Sequence, residues 1–130
     1  MKTLAMPLFL SPVPAGFPSP ADDFLDKKLD LNEHLIRHPA STFFVKAKGN
    51  SMLKAGIHSG DILIVDRSLE PQDKKIVIAI LNGEFTVKRI QKRGSKLFLA
   101  PDNDNYAPIE ITDTHDFEIW GVVTTVIHPV

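Results

Sequence analysis

KIVIAILNGEFTVKRI, residues Lys75 to Ile90, holds two strand-like runs, Lys75–Leu81 and Glu84–Ile90, with Asn82-Gly83 between them. A two-residue hairpin loop of type I′ needs positive φ at both central positions, and Asn-Gly is a preferred pair for it. The stretch therefore predicts an antiparallel β-hairpin. In its second arm the two-residue period of a strand sets Lys88 on the same face as Thr86 and Ile90.

Working outward, Thr42–Lys48, Ile62–Asp66, Lys96–Ala100 and Phe117–Ile127 are further strand-like runs, separated by Gly, Pro, Asn and Asp. The chain beyond Pro39 is thus predicted to be mainly β. Residues 1–18 hold four prolines, Pro7, Pro12, Pro14 and Pro18, a composition that suits an extended arm. Ser19-Pro20-Ala21-Asp22 reads as an N-cap with proline in the first turn, opening a short helix through Phe24, Leu25 and Leu29. Asp30 with Glu33 resembles a capping box, and Leu31, Leu35 and Ile36 carry that helix to a stop before Pro39. The expected organisation is an N-terminal arm with short helices over residues 1–40 and a β domain over 41–130. No internal repeat or low-complexity tract is apparent.

With 130 residues, 43% hydrophobic and 24% charged, the chain has the size of one ordinary domain. Fifteen basic against sixteen acidic residues give a net charge of −1, so the surface as a whole is no trap for nucleic acid or anionic lipid. Absence of cysteine excludes disulfides, thiolate catalysis and Cys-based zinc sites, and fits a reducing compartment. No apolar run approaches the roughly 18–20 residues that span a bilayer. Met1-Lys2-Thr3 followed by Leu4–Leu10, with Val13-Pro14-Ala15 beyond, has the outline of a short secretory signal. Pro7 interrupts its apolar part and one positive charge precedes it, so a soluble cytoplasmic protein is expected.

Two residues could carry chemistry. Ser51, in the turn Gly49-Asn50-Ser51-Met52, follows a strand, where a hydroxyl is free of ladder hydrogen bonds; serine after Gly-Asn is also an ordinary turn residue. A nucleophilic serine needs a base, and none of His34, His38, His58, His115 and His128 pairs with an acid in a recognisable local motif. Lysine can serve if its amine is kept neutral, and with an ordinary pKa of about 10.4 that requires desolvation. Lys88 is the candidate, although a mid-strand lysine is more often simply exposed. Metal readings are weaker. His34 and His38 lie four apart but lack a third ligand, and Asp102, Asp104 and Asp113 have partial calcium-loop spacing with Ala107 where glycine is required. No metal and no cofactor are expected.

Four blocks occur in order: Gly49–Met52, Ser59–Asp66, Asn82–Lys88 and Pro101–Ile109. With Ala15–Pro20, Asp30-Leu31-Asn32, His38-Pro39 and Gly121-Val122-Val123, they make the chain similar to the LexA/UmuD family of self-cleaving serine–lysine proteins from about residue 15 nearly to its end. The separation of Ser51 and Lys88, 88 − 51 = 37 residues, is also the family's. Asn50 departs from the aspartate common before the serine, and Ala15-Gly16 matches the LexA-type cleavage dipeptide, where another branch carries Cys-Gly.

The resemblance implies a LexA/UmuD-type catalytic β domain, with Ser51 as nucleophile, Lys88 as general base and the Ala15–Gly16 bond as internal substrate. Backbone N–H groups would hold the oxyanion, the Ser51 amide among them, with Asn50 and Met52 as oxyanion or turn support. It further implies a homodimer, activation by a RecA filament on single-stranded DNA, and an accessory role for the shortened form beside a UmuC-type Y-family polymerase in SOS mutagenesis and translesion synthesis. Any contact with DNA would run through partners. A family repressor carries a helix-turn-helix ahead of this module; the roughly 40 residues before the first β run lack that pattern, so a repressor is disfavoured. Two rivals remain. One is a signal-peptidase-like or other serine–lysine protease, and the other a catalytically silent β interaction module.

Overall fold

The computed structural model describes residues 5–9, 15–16 and 25–130. Residues 1–37 and 38–130 form two separate compact units. In the first unit β1 (Ala5–Phe9) pairs antiparallel with β2 (Leu25–Asp30), and α1 (Leu31–Leu35) follows directly. The Asp30 carboxylate accepts the Asn32 N–H at 3.0 Å, so the expected cap is formed. Ala15 and Gly16 sit in an exposed bend.

The expected helix through Leu25 and Leu29 is corrected by β2. Residues four apart share a face in a helix and, because four is even, in a strand as well, so this spacing does not separate the two. The arm is likewise not a bare extended segment, since residues 5–9 are paired in a ladder. The proposed cap at Ser19-Pro20 and the start of that helix at Phe24 lie outside the described residues.

The second unit is one antiparallel seven-stranded sheet. Its strands are β3 (Thr42–Lys46), β4 (Ile62–Asp66), β5 (Ile76–Leu81), β6 (Glu84–Arg93), β7 (Lys96–Ala100), β8 (Ile109–Ile111) and β9 (Phe117–Ile127), in the order β3-β4-β9-β5-β6-β7-β8. Asn82 (φ 51°) and Gly83 (φ 82°) both take the left-handed values that the hairpin between β5 and β6 requires. Ile76–Leu81 is apolar throughout because both of its faces are covered. Ile78 joins Ala47, Met52, Ile57, Leu63 and Val65 on one face, while Val77 and Ala79 join Ile90, Leu99 and Val122 on the other. β9 spans the middle of the sheet, pairing β4 and β5, with a register shift against each. At one of these shifts Gly121 lies against Val65; a Cβ there would come within 2.5 Å of Val65 Cγ1.

Beyond β3 the chain stays tied to β4's approach, Ala47 N–H donating to the Asp61 carbonyl at 2.8 Å and Gly60 N–H to the Ala47 carbonyl at 2.8 Å. The turn that follows β3 is thereby fixed against one end of the sheet. At the other end of β4 the buried Asp66 gathers four donors: the Ser41, Ser68 and His38 side chains and the Ser68 N–H, at 2.6–3.0 Å. Burial raises its pKa, but these hydrogen bonds outweigh that and hold the carboxyl well below its usual range.

Candidate active site

Ser51 lies half-buried in the turn after β3. Gly49 enters that turn at φ 92°, a backbone that side-chain-bearing residues avoid. A second loop, running on from β7, pins it. Asn103 Nδ2 donates to the Asn50 carbonyl at 2.7 Å, the Asp102 N–H donates to the sulfur of buried Met52 at 3.3 Å, and the Lys54 N–H donates to the Asp102 carbonyl at 2.7 Å. Neither the Ser51 nor the Met52 amide donates to an acceptor among the described residues.

Lys88 reaches the same point from β6. Its amine is 3.0 Å from Ser51 Oγ, 2.8 Å from Thr86 Oγ1 and 3.1 Å from the Val87 carbonyl oxygen. Thr86 stands beside Lys88, as the strand period predicts, its hydroxyl within hydrogen-bond distance of the amine, while Ile90, the next residue of that period, is fully buried in the core. Arg89 points the other way, with Nε and Nη2 on the Asp102 carboxylate at 3.1 and 2.6 Å and Nη1 on the Lys74 carbonyl at 2.6 Å. Consecutive residues of one strand thus hold the amine and clamp the loop that supports the serine.

No carboxylate is among the amine's hydrogen-bond partners, and burial pushes the Lys88 pKa below the ordinary lysine value. A neutral amine has two N–H donors and one lone pair, whereas an ammonium has three donors. In the neutral form the two donors can serve Thr86 and the Val87 carbonyl and leave the lone pair for the Ser51 hydroxyl. After a proton moves from serine to lysine, the same three oxygens accept from the ammonium. The site therefore satisfies both protonation states without rearrangement. Ser51 and Lys88 line a cleft of about 280 Å³ with Val45, Ala47, Ile57, Phe85 and Val87, apolar walls that strip water from the amine.

Thr86, Arg89 and Asn103 were not singled out by the sequence reading. The strand period placed Thr86 beside Lys88, but nothing local marks Arg89–Asp102 or Asn103–Asn50 as pairs. Three of the five residues weighed as metal ligands, Asp102, Asp104 and His38, are otherwise engaged. Asp102 is bound by Arg89, Asp104 by Lys54 at 2.7 Å, and His38 Nδ1 lies 2.6 Å from Asp66.

A serine hydroxyl faced by a desolvated lysine amine is the arrangement of serine–lysine hydrolases. The sequence model of the family described as Peptidase S24-like matches residues 7–124. Protein SamA of Salmonella typhimurium is 48% identical over 122 residues, covering 94% of this chain and 84% of SamA. Protein MucA of Escherichia coli is 43% identical over 129 residues, covering 97% of this chain and 88% of MucA. The LexA repressor of Bordetella parapertussis is 34% identical over 127 residues, which is 98% of this chain and 58% of the repressor. The chain belongs to the Peptidase S24-like family and is a LexA/UmuD-type protein. The mainly β fold agrees with that membership, and no helix among the described residues is long and apolar enough to cross a membrane.

Proposed function

We propose that this protein cuts its own Ala15–Gly16 peptide bond with Ser51 as nucleophile and Lys88 as general base. The observation that carries the reading is the 3.0 Å approach of a desolvated Lys88 amine to the Ser51 hydroxyl inside a cleft. Lys88 takes the Ser51 proton, and Oγ attacks the Ala15 carbonyl carbon. The Ser51 and Met52 amides, free of partners among the described residues, donate to the oxyanion in this reading. Asn50 and Met52 serve the turn through their contacts with Asn103 and Asp102. Lys88 returns its proton to the leaving Gly16 amine, and water then hydrolyses the ester, releasing residues 1–15 and regenerating Ser51. The product is residues 16–130, 130 − 15 = 115 residues.

The cleft also suits an extended substrate. β3 ends the sheet, so its outer edge can pair with an added strand. Tethering the substrate to the enzyme can lower the barrier by as much as about 7–11 kcal/mol when the pose is well aligned. Restraint then requires that the competent pose be scarce until something favours it. In the family reading that agent is a RecA filament on single-stranded DNA. The shortened homodimer then serves a UmuC-type error-prone polymerase in the cytoplasm.

The test is to incubate purified protein alone over a rising pH series and to follow the break between Ala15 and Gly16 by mass spectrometry. Cleavage is expected to accelerate with pH up to the lowered Lys88 pKa and then level off, and to vanish in Ser51→Ala and Lys88→Ala. Continued self-cleavage in both variants would overturn the dyad. Absence of any fragment even with RecA, nucleotide and single-stranded DNA present would favour a silent module.

A further inference from the structure

We propose that His58, Asp61 and His128 form a binding site for one divalent transition-metal ion of the zinc class, separate from the Ser51–Lys88 cleft. None of the three lines that cleft. They are brought together by the sheet register rather than by sequence proximity. β4 pairs Ile62 with Ile127 of β9, so the residues just outside that pair, Asp61 and His128, meet at the end of the two strands. His58 returns to the same place through a tight turn in which Gly60 takes φ 96°.

The donor atoms converge on one carboxylate. His128 Nδ1 is 2.6 Å from Asp61 Oδ1, and His58 Nδ1 is 3.7 Å from Asp61 Oδ2. The imidazoles stack with centroids 4.4 Å apart and planes 26° apart, turning both Nδ1 atoms toward the carboxylate. All three ligating atoms lie within 4.8 Å of one another. Around an ion with bonds of about 2.0–2.2 Å, ligand atoms sit roughly 3–3.5 Å apart, so closure takes about an ångström of side-chain rotation. The histidines can supply it, because their side chains are 49% and 41% exposed while Asp61 is only 3% exposed and held in place.

The fixed ligand is oriented by backbone, since the His58 N–H donates to Asp61 Oδ2 at 2.8 Å. No lysine or arginine is paired with Asp61 among the described residues. Two imidazole nitrogens and one carboxylate oxygen favour Zn²⁺, Ni²⁺ or Cu²⁺ over Ca²⁺ or Mg²⁺, and the open side leaves positions for water. An ion there joins the 58–61 turn to the end of β9, and binding only to the folded chain raises its stability.

The experiment uses the full chain stripped with EDTA and carrying Ser51→Ala to prevent self-cleavage. Zn²⁺ is titrated by calorimetry, Co²⁺ is followed by its visible absorption, and melting is recorded with each metal and with Mg²⁺. The expected result is one saturable Zn²⁺ per chain and a melting temperature raised by Zn²⁺ but not by Mg²⁺. His58→Gln and His128→Gln should each weaken binding by at least about tenfold, as loss of a ligand should exceed loss of an outer partner, while His34→Gln and His115→Gln bind as the parent does. Circular dichroism and melting in EDTA identify any variant that has lost its fold. The proposal is overturned by no saturable binding, by binding that the His58 and His128 variants retain, or by an adventitious ion only, shared among surface histidines.

Discussion

Replacing Thr86 by valine removes one hydroxyl from the Lys88 amine and keeps the shape of the side chain. That hydroxyl is the nearest of the amine's three partners, at 2.8 Å against 3.0 and 3.1 Å. A hydrogen bond to a charged group contributes about 1.5–3 kcal/mol, and one between neutral groups about 0.5–1.5 kcal/mol. In the proposed reaction, proton transfer from Ser51 converts the amine to an ammonium, so the loss is larger after transfer than before it, by about 1 kcal/mol or a little more. The plateau rate of self-cleavage at high pH should fall about five- to tenfold. Losing an acceptor that favours the charged form also moves the Lys88 pKa further down. The rate midpoint should therefore shift to lower pH, and the deficit should be smaller below the midpoint than on the plateau. First-order cleavage followed by mass spectrometry across the pH series reads both effects, with Thr86→Ser as the variant that keeps the hydroxyl. The reasoning is refuted if Thr86→Val leaves plateau and midpoint unchanged, or if Thr86→Ser is as impaired as Thr86→Val.

Other substitutions test the rest of the framework. Because burial lowers the folded pKa of Lys88 below 10.5, the unfolded chain binds the proton more tightly, and the cost to stability is full below the folded value. Lys88→Met should therefore melt higher than the parent near neutrality, with the advantage shrinking as pH rises through the folded value toward 10.5. Asp66→Ala strands four donors at a buried position and should cost about 3 kcal/mol in urea unfolding. The lowered Asp66 pKa means that its stabilisation is fully present above 3.8 and is lost as pH falls through the folded value, so acid titration of stability should be shallower in the variant. Gly83→Ala meets no atom within 4 Å, yet φ 82° should cost about 1–2 kcal/mol in the melting curve, and Gly83→Asn less.

The β-rich unit was legible because its signals are local. Asn82-Gly83 fixes a turn, and the runs 62–66, 96–100 and 117–127 coincide with β4, β7 and β9. β8 was missed because three residues between Pro108 and Thr112 are too few to display a period. β2 was read as helix because LDKKLD fits either period, and only the pairing with β1 decides between them. Within the site, alternation along β6 was enough to set Lys88 beside Thr86. The meeting of Lys88 with Ser51 came from the resemblance and not from spacing, since no local rule links residues 37 apart. Arg89 with Asp102, Asn103 with Asn50, and His58 with Asp61 and His128 depend on loop paths and strand register, which composition and periodicity do not carry.

Ser51 and Lys88, and the loop that braces them, belong to residues 38–130. Under the proposed chemistry, cutting after Ala15 spends the substrate and not the tool. The shortened molecule keeps a loaded nucleophile, open to a serine-directed electrophile or to an arm offered by another copy.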